Sequence, residues 1–169
     1  MEKMERIVLS LLVDNTAGVL ARVSGLFSRR GYNIESLTVG TTADERYSRM
    51  TVVSFGDQKI LEQIKNQLEK LEDVRDIKEL RGNTSVYREL ILVKVKANAS
   101  ERQAVSAIAD IFRASIVDVG KESMTIMLTG DQSKLNALIN LVEDYEILEL
   151  ARTGVTGLSR GTEDVRYLP

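Results

Sequence analysis

The chain contains no cysteine and no histidine. Without cysteine there is no disulfide, no thiolate nucleophile and no thiolate-bound metal. Without histidine it lacks the usual general base near neutral pH and the commonest metal ligand, which excludes histidine-dependent triads and histidine-containing zinc sites. Neither sign of charge dominates. The 23 basic and 25 acidic residues give a formal net charge of -2, so bulk electrostatics draws the chain toward neither nucleic acid nor an anionic membrane. No apolar run reaches the roughly 18 residues of a membrane-spanning helix, and a soluble, cytoplasmic protein is expected. Aromatics are scarce, and only Phe55 and Tyr87 are well placed on predicted strands, too few for the stacking surface of an RNA-recognition module. There is neither a P-loop nor a GxGxxG fingerprint.

What is present suits a small globular protein. At 169 residues and 43% hydrophobic, the chain holds one ordinary domain or two small ones of about 80 residues each. RIVLSLLV (Arg6 to Val13) reads as a strand buried on both faces. DNTAG follows as a turn, with Asn15 or Thr16 expected to cap the next helix. That helix carries Val19, Leu20, Val23, Leu26 and Phe27 along one side, a narrow stripe of Gly18, Ala21 and Gly25 along another, and Gly31 as its stop. Strands at Tyr32 to Gly40 and Arg49 to Phe55, a helix around Ile60 to Leu71 and a closing strand VRDIKEL complete the order βαββαβ.

After RGNTS the same order begins again. YRELILVKVKA, a helix with Ser100 as its expected N-cap, SIVDVG, SMTIMLTG, DQSKLNALINLVEDY and EILELART repeat the topology, although side chains match poorly between the halves. The fold class is therefore α+β, two ferredoxin-like βαββαβ domains in tandem. The expected boundaries are 1–80 for the first domain, 81–86 for a linker, 87–153 for the second domain and 154–169 for a flexible tail with Leu158 as its main apolar anchor.

Catalytic chemistry has little foothold. The carboxylates and lysines lie mostly on helix faces such as KILEQIKNQLEKLED, where a solvated surface is the simple reading, so no catalytic residue and no metal ligand is assigned. The glycine-rich turn is more suggestive. A helix start presents free N–H groups and the positive end of a dipole, and Gly18 lets a carboxylate approach the backbone. Asn15 adds an amide, Asn33 begins the next strand beside the helix end, and Ile34 supplies a branched apolar wall. These features suit a small apolar amino acid; they also suit a plain turn and a capped strand.

The run LVDNTAGVLARVSGLFSRRGYNIESLTVG resembles the start of the regulatory, or small, subunits of acetolactate synthase (acetohydroxyacid synthase). The similarity continues through SRMT, RELILVKV and IFRASIVDV into RTGVTGLSRG, covering essentially the whole chain. The resemblance implies an N-terminal ACT domain followed by an ACT-like domain, in a subunit with no active site of its own. In the wider ACT pattern an acidic residue, a basic residue, proline and glycine precede the helix; Asn15, Thr16, Ala17 and Gly18 stand there instead. The implied role is to activate the thiamine-diphosphate-dependent catalytic subunit and to impose feedback inhibition by valine, with homodimerisation through the ACT domains. Effector contacts carried over by position are Asn15, Ala17, Gly18, Val19 and Leu20 from the turn and helix start, and Asn33 and Ile34 from the neighbouring chain. No cofactor is implied on this chain; thiamine diphosphate, Mg and FAD are expected on the catalytic partner. The competing reading is a free-standing tandem-ACT amino-acid sensor or transcriptional regulator.

Overall fold

The computed structural model describes residues 3–162. Two compact units divide between Tyr87 and Arg88 and again between Gly154 and Val155, so the first unit is discontinuous in sequence. Its elements are β1 (Glu5–Asp14), α1 (Val19–Arg29), β2 (Ile34–Thr41), β3 (Tyr47–Gly56), α2 (Gln58–Glu69) and β4 (Val74–Leu80). The strands form an antiparallel sheet in the order β2-β3-β1-β4. Every residue from Ile7 to Val13 is buried, because side chains of a central strand alternate between two covered faces. Ile7, Leu9, Leu11 and Val13 join Val23, Phe27, Ile64 and Leu68 beneath the helices. Val8 lies on the opposite face with Val53 and Leu80.

The second unit repeats the plan. It comprises most of β5 (Ser85–Lys96), then α3 (Arg102–Ile111), β6 (Ser115–Val119), β7 (Ser123–Gly130), α4 (Gln132–Val142), a single 3₁₀ turn and β8 (Ile147–Arg152). Its sheet order is β6-β7-β5-β8, and its core gathers Ile91, Val93 and Val95 against Val105, Leu135 and Leu138. The βαββαβ order expected from hydrophobic periodicity is present in both units. Among the described residues no helix is long and apolar enough to cross a membrane.

Several local expectations are corrected. Asn15 and Thr16 do not cap α1: the N-cap is Gly18 at φ 86°, and it has no side chain to offer. Ser100 does not cap α3. Asn98 accepts from the amides of Ser100 (3.0 Å) and Glu101 (3.1 Å), while Glu101 accepts from the amide of Asn98 (3.2 Å). That reciprocal pair is a capping box, and Ser100 serves it by donating its hydroxyl to Asn98 Oδ1. The segment 81–86 is no linker, because a turn closed by Thr84 N to Arg81 O leads directly into β5 at Ser85.

The segment from 154 also differs from a flexible tail. It forms β9 (Thr156–Ser159), which pairs with β5, while residues 163–169 lie outside the described residues. Val155, not Leu158, is the anchor. Val155 is 4% exposed and packs with Val8, Val53 and Leu80, whereas Leu158 remains 59% exposed. Alternation explains the exchange: Val155 and Gly157 face the sheet, and Leu158 points away. A side chain at Gly157 would meet Tyr87 at 2.8 Å and the Val86 carbonyl at 3.1 Å, so the close approach requires glycine.

Candidate functional site

The helix start is open. Because Gly18 provides no cap, the amides of Val19, Leu20 and Ala21 lack a side-chain acceptor, and the first intrahelical bond runs from Arg22 N to Gly18 O at 3.0 Å. Ala17, Gly18 and Leu20 are exposed there, Leu20 by 47%, although helical periodicity placed Leu20 on the core side. Val19 is buried in the core and can offer a ligand only its backbone N–H.

Around this start lies a charged frame that the sequence reading missed. Arg22 Nε donates to Asp73 at 2.6 Å, and a carbon added at Gly18 would stand 2.9 Å from the Arg22 guanidinium. Nearby in the chain, Arg75 grips Asp14 through two bonds of 2.7 and 2.9 Å, which hold the Asp14 carboxyl below its usual range. The spacing of Gly18 and Arg22, four residues apart on a helix, was the available signal. Asp73 lies 51 residues from Arg22, and nothing local in the sequence pairs them.

Asn15 is committed on one side. Its backbone N–H donates to the Arg46 carbonyl and its Nδ2 to the Glu45 carbonyl, both at 2.8 Å, so its Oδ1 is the atom left for an incoming donor. The loop it grips is stiffened by Asp44, which accepts from the side chain of Arg46 and from its backbone N–H at 3.0 Å. These bonds hold the Asp44 carboxyl down to about 2. A depressed carboxyl supports the fold above its unfolded value near 4 and loses that support as pH falls toward 2. We therefore expect the Arg46 amide to lose protection, taken relative to its intrinsic exchange rate at each pH, on acidification from pH 4 to 2 and ahead of the sheet amides, as followed by hydrogen-exchange NMR.

Asn33 and Ile34 sit elsewhere. The helix α1 has 11 residues, roughly 16 Å at 1.5 Å per residue, and it separates Gly18 at its start from Asn33 beyond its end. One chain therefore does not bring the two groups of expected contacts together. Asn33 is exposed, its carbonyl accepting from Ser54 Oγ at 2.6 Å, and Ile34 is half-buried against the core. At the helix C-terminus Gly31, at φ 71°, closes the turn as expected: Gly31 N bonds to Ser28 O and Tyr32 N to Phe27 O. Gly25 has open space where a side chain would go, so among the described residues no close helix packing requires glycine there. Thr38, further along β2, donates to the Val155 carbonyl at 3.1 Å.

Comparison with known proteins bears on both units. Residues 9–76 match the model of the AHAS small subunit-like ACT domain, and residues 88–161 match that of the small subunit of acetolactate synthase. The acetolactate synthase isozyme 3 small subunit of Escherichia coli (strain K12) is 48% identical over 162 residues, 95% of this chain and 99% of that protein. The probable acetolactate synthase small subunit of Archaeoglobus fulgidus is 49% identical over 155 residues, covering 92% and 97%. The crystal structure of the small subunit from Thermotoga maritima superposes with a TM-score of 0.87 at 37% identity, covering 94% of this chain and 99% of that one.

Proposed function

The chain belongs to the family of acetolactate synthase small subunits, and from that premise we propose that it activates the thiamine-diphosphate-dependent catalytic subunit and confers feedback inhibition by valine. It is a regulatory, non-catalytic subunit of an enzyme complex, and the catalytic subunit is its partner. In this reading the chain carries no cofactor of its own; thiamine diphosphate, Mg and FAD belong to the catalytic subunit, and the complex works in the cytoplasm.

The observation that carries the effector site is the open start of α1. Three uncapped amides, the dipole's positive end and the Arg22 guanidinium converge where Gly18 removes any steric screen, and a carboxylate is the group they would hold. Asn15 Oδ1 accepts from the ligand's ammonium. Asn33 and Ile34, remote from Gly18 in one chain, complete the pocket from the ACT domain of a second copy. The stripe of exposed Gly18 and Ala21 and half-buried Gly25, with open space among the described residues where a side chain at Gly25 would go, gives that second copy a surface of close approach. Valine bridging two chains favours the arrangement that completes the pocket, and it inhibits because that arrangement activates the catalytic subunit less well.

Calorimetric titration of the chain with valine, leucine, isoleucine and alanine tests this reading. Valine is expected to bind best, and Asn33→Ala to weaken it by about tenfold or more, the loss of one hydrogen bond to a charged group. Equal affinity of wild type and variant would overturn the site. Absence of binding to both the isolated chain and its complex with the catalytic subunit would overturn the effector assignment.

A further inference from the structure

Arg22 reaches the open start of α1 with only part of its guanidinium. Its Nε donates to Asp73 Oδ2 at 2.6 Å, whereas a carbon built on Gly18 would stand 2.9 Å from Nη1, 3.7 Å from Cζ and 3.9 Å from Nη2. Asp73 therefore takes the Nε side of the fork, and Nη1 is the donor turned toward Gly18. The Arg22 side chain is 48% exposed and that of Asp73 only 20%. A long exposed side chain left to itself spreads over many rotamers, and ordering it when a ligand arrives costs affinity. Here the less exposed partner holds it in advance.

An irregularity in the sheet puts Asp73 in reach of Arg22. β1 and β4 stay in register as far as Leu12 opposite Asp76, but the next pair is Val13 opposite Val74, so Arg75 is an extra residue. The slip brings Asp73 level with Asp14, whose N–H donates to the Asp73 carbonyl at 2.8 Å. In unbroken register Val74 would stand opposite Asp14 instead. The turn ahead of Asp73 is closed by Val74 N to Leu71 O at 3.1 Å, and Arg75 grips the Asp14 carboxylate through two bonds, so the backbone on either side of this carboxylate is tied down. We propose that Asp73 is a positioning residue of the effector site: by holding Arg22 at Nε it presents Nη1 to the ligand's carboxylate, and so makes the site prefer a carboxylate to a neutral group there. The inference rests on the reading of the α1 start as the effector site.

Calorimetric titration of the chain assembled with its catalytic subunit, using valine and valinamide, provides the test, because valinamide carries a neutral amide in place of the carboxylate. Wild type is expected to prefer valine. Asp73→Ala should reduce that preference about 2- to 12-fold, the span expected for ordering one rotamer-rich side chain on binding. Asp73→Asn, which keeps an acceptor for Nε, should retain most of it. Once Arg22→Gln has removed the guanidinium, adding Asp73→Ala should change the preference no further. Equal weakening of valine and valinamide in Asp73→Ala would mark a purely structural role and overturn the proposal. So would tighter valine binding in both Asp73 variants, which would make Asp73 a competitor for the guanidinium. Failure of the effector reading itself has another signature: Asn33→Ala and Arg22→Gln would then leave valine affinity unchanged, whereas failure of the positioning role alone leaves those two variants weakened and Asp73→Ala unaffected.

Discussion

Replacing Gly18 by aspartate is expected to abolish valine inhibition of the assembled enzyme while leaving activation largely intact. At φ 86° an L-residue pays roughly 1–2 kcal/mol, and the new side chain meets Arg22 Nη1 at 2.9 Å. That contact is the far end of a flexible side chain, so the guanidinium yields and the helix persists. The aspartate also supplies the missing N-cap, accepting from first-turn amides that glycine leaves open, which offsets part of the strain. The same cap fills the place proposed for the ligand's carboxylate and repels it. With valine excluded, a coupling typically worth 1 to 3 kcal/mol, about 5- to 150-fold, has no ligand to act through. Valine dose–response curves of the reconstituted complex measure this directly. Gly18→Ala, which carries the strain without the charge, should retain part of the response. A Gly18→Asp variant that stays valine-sensitive but fails to activate would show that this turn contacts the catalytic subunit instead.

Val155→Asp is expected to be the most damaging single substitution away from the helix-covered cores. Val155 is 4% exposed among Val8, Val53 and Leu80, and a carboxylate there has apolar neighbours and no cation in that cluster. Its burial costs on the order of 3 kcal/mol, and displacing β9 to avoid that cost uncovers three aliphatic side chains instead. The effect should be confined to one unit. Amides of β1 and β3 should lose exchange protection while those of β5 beyond Arg88, β7 and α4 keep theirs; uniform loss across both would contradict the division at Tyr87 and Gly154.

Both predictions depend on features that the sequence disclosed unequally. The repeated βαββαβ order was legible because alternating and helical periodicities are strong over strands such as RIVLSLLV and helices such as KILEQIKNQLEKL. Local chemistry was partly legible. Gly31 announced its role, but the matching stop after α3 is Arg113 at φ 55°, closed by Ala114 N to Ala109 O, and no composition rule singles out an arginine. A short internal repeat did stand in plain view. Gly-Asp-Gln recurs at 56–58 and 130–132, where Asp57 and Asp131 each cap a helix by accepting from the amide three residues on, at 2.9 Å. Each preceding glycine clears the helix's first turn, since a side chain at Gly56 would meet Ile60 and one at Gly130 would meet Lys134.

Long-range pairings were not legible. Arg22 with Asp73, Arg49 with Ser10 and Thr38 with Val155 join residues 51, 39 and 117 positions apart, and exposed or half-buried polar groups carry no period. β9 escaped for a related reason. Four residues, one of them glycine, are too few to show alternation, and their burial comes from a sheet face completed much earlier in the chain.

The discontinuity of the first unit also sets an order of events during synthesis. A chain leaves the ribosome N-terminus first, at about 5–20 residues per second. Every residue from Arg88 to Gly154 has therefore emerged before Val155 does, and the unit that is second in sequence has all its parts first. The leading unit meanwhile holds Val8, Val53 and Leu80 without their final cover. Translation that stops after Gly154 would release a finished trailing unit attached to an unfinished leading one, so the closing residues make the nascent subunit's first-made sheet the last to be completed.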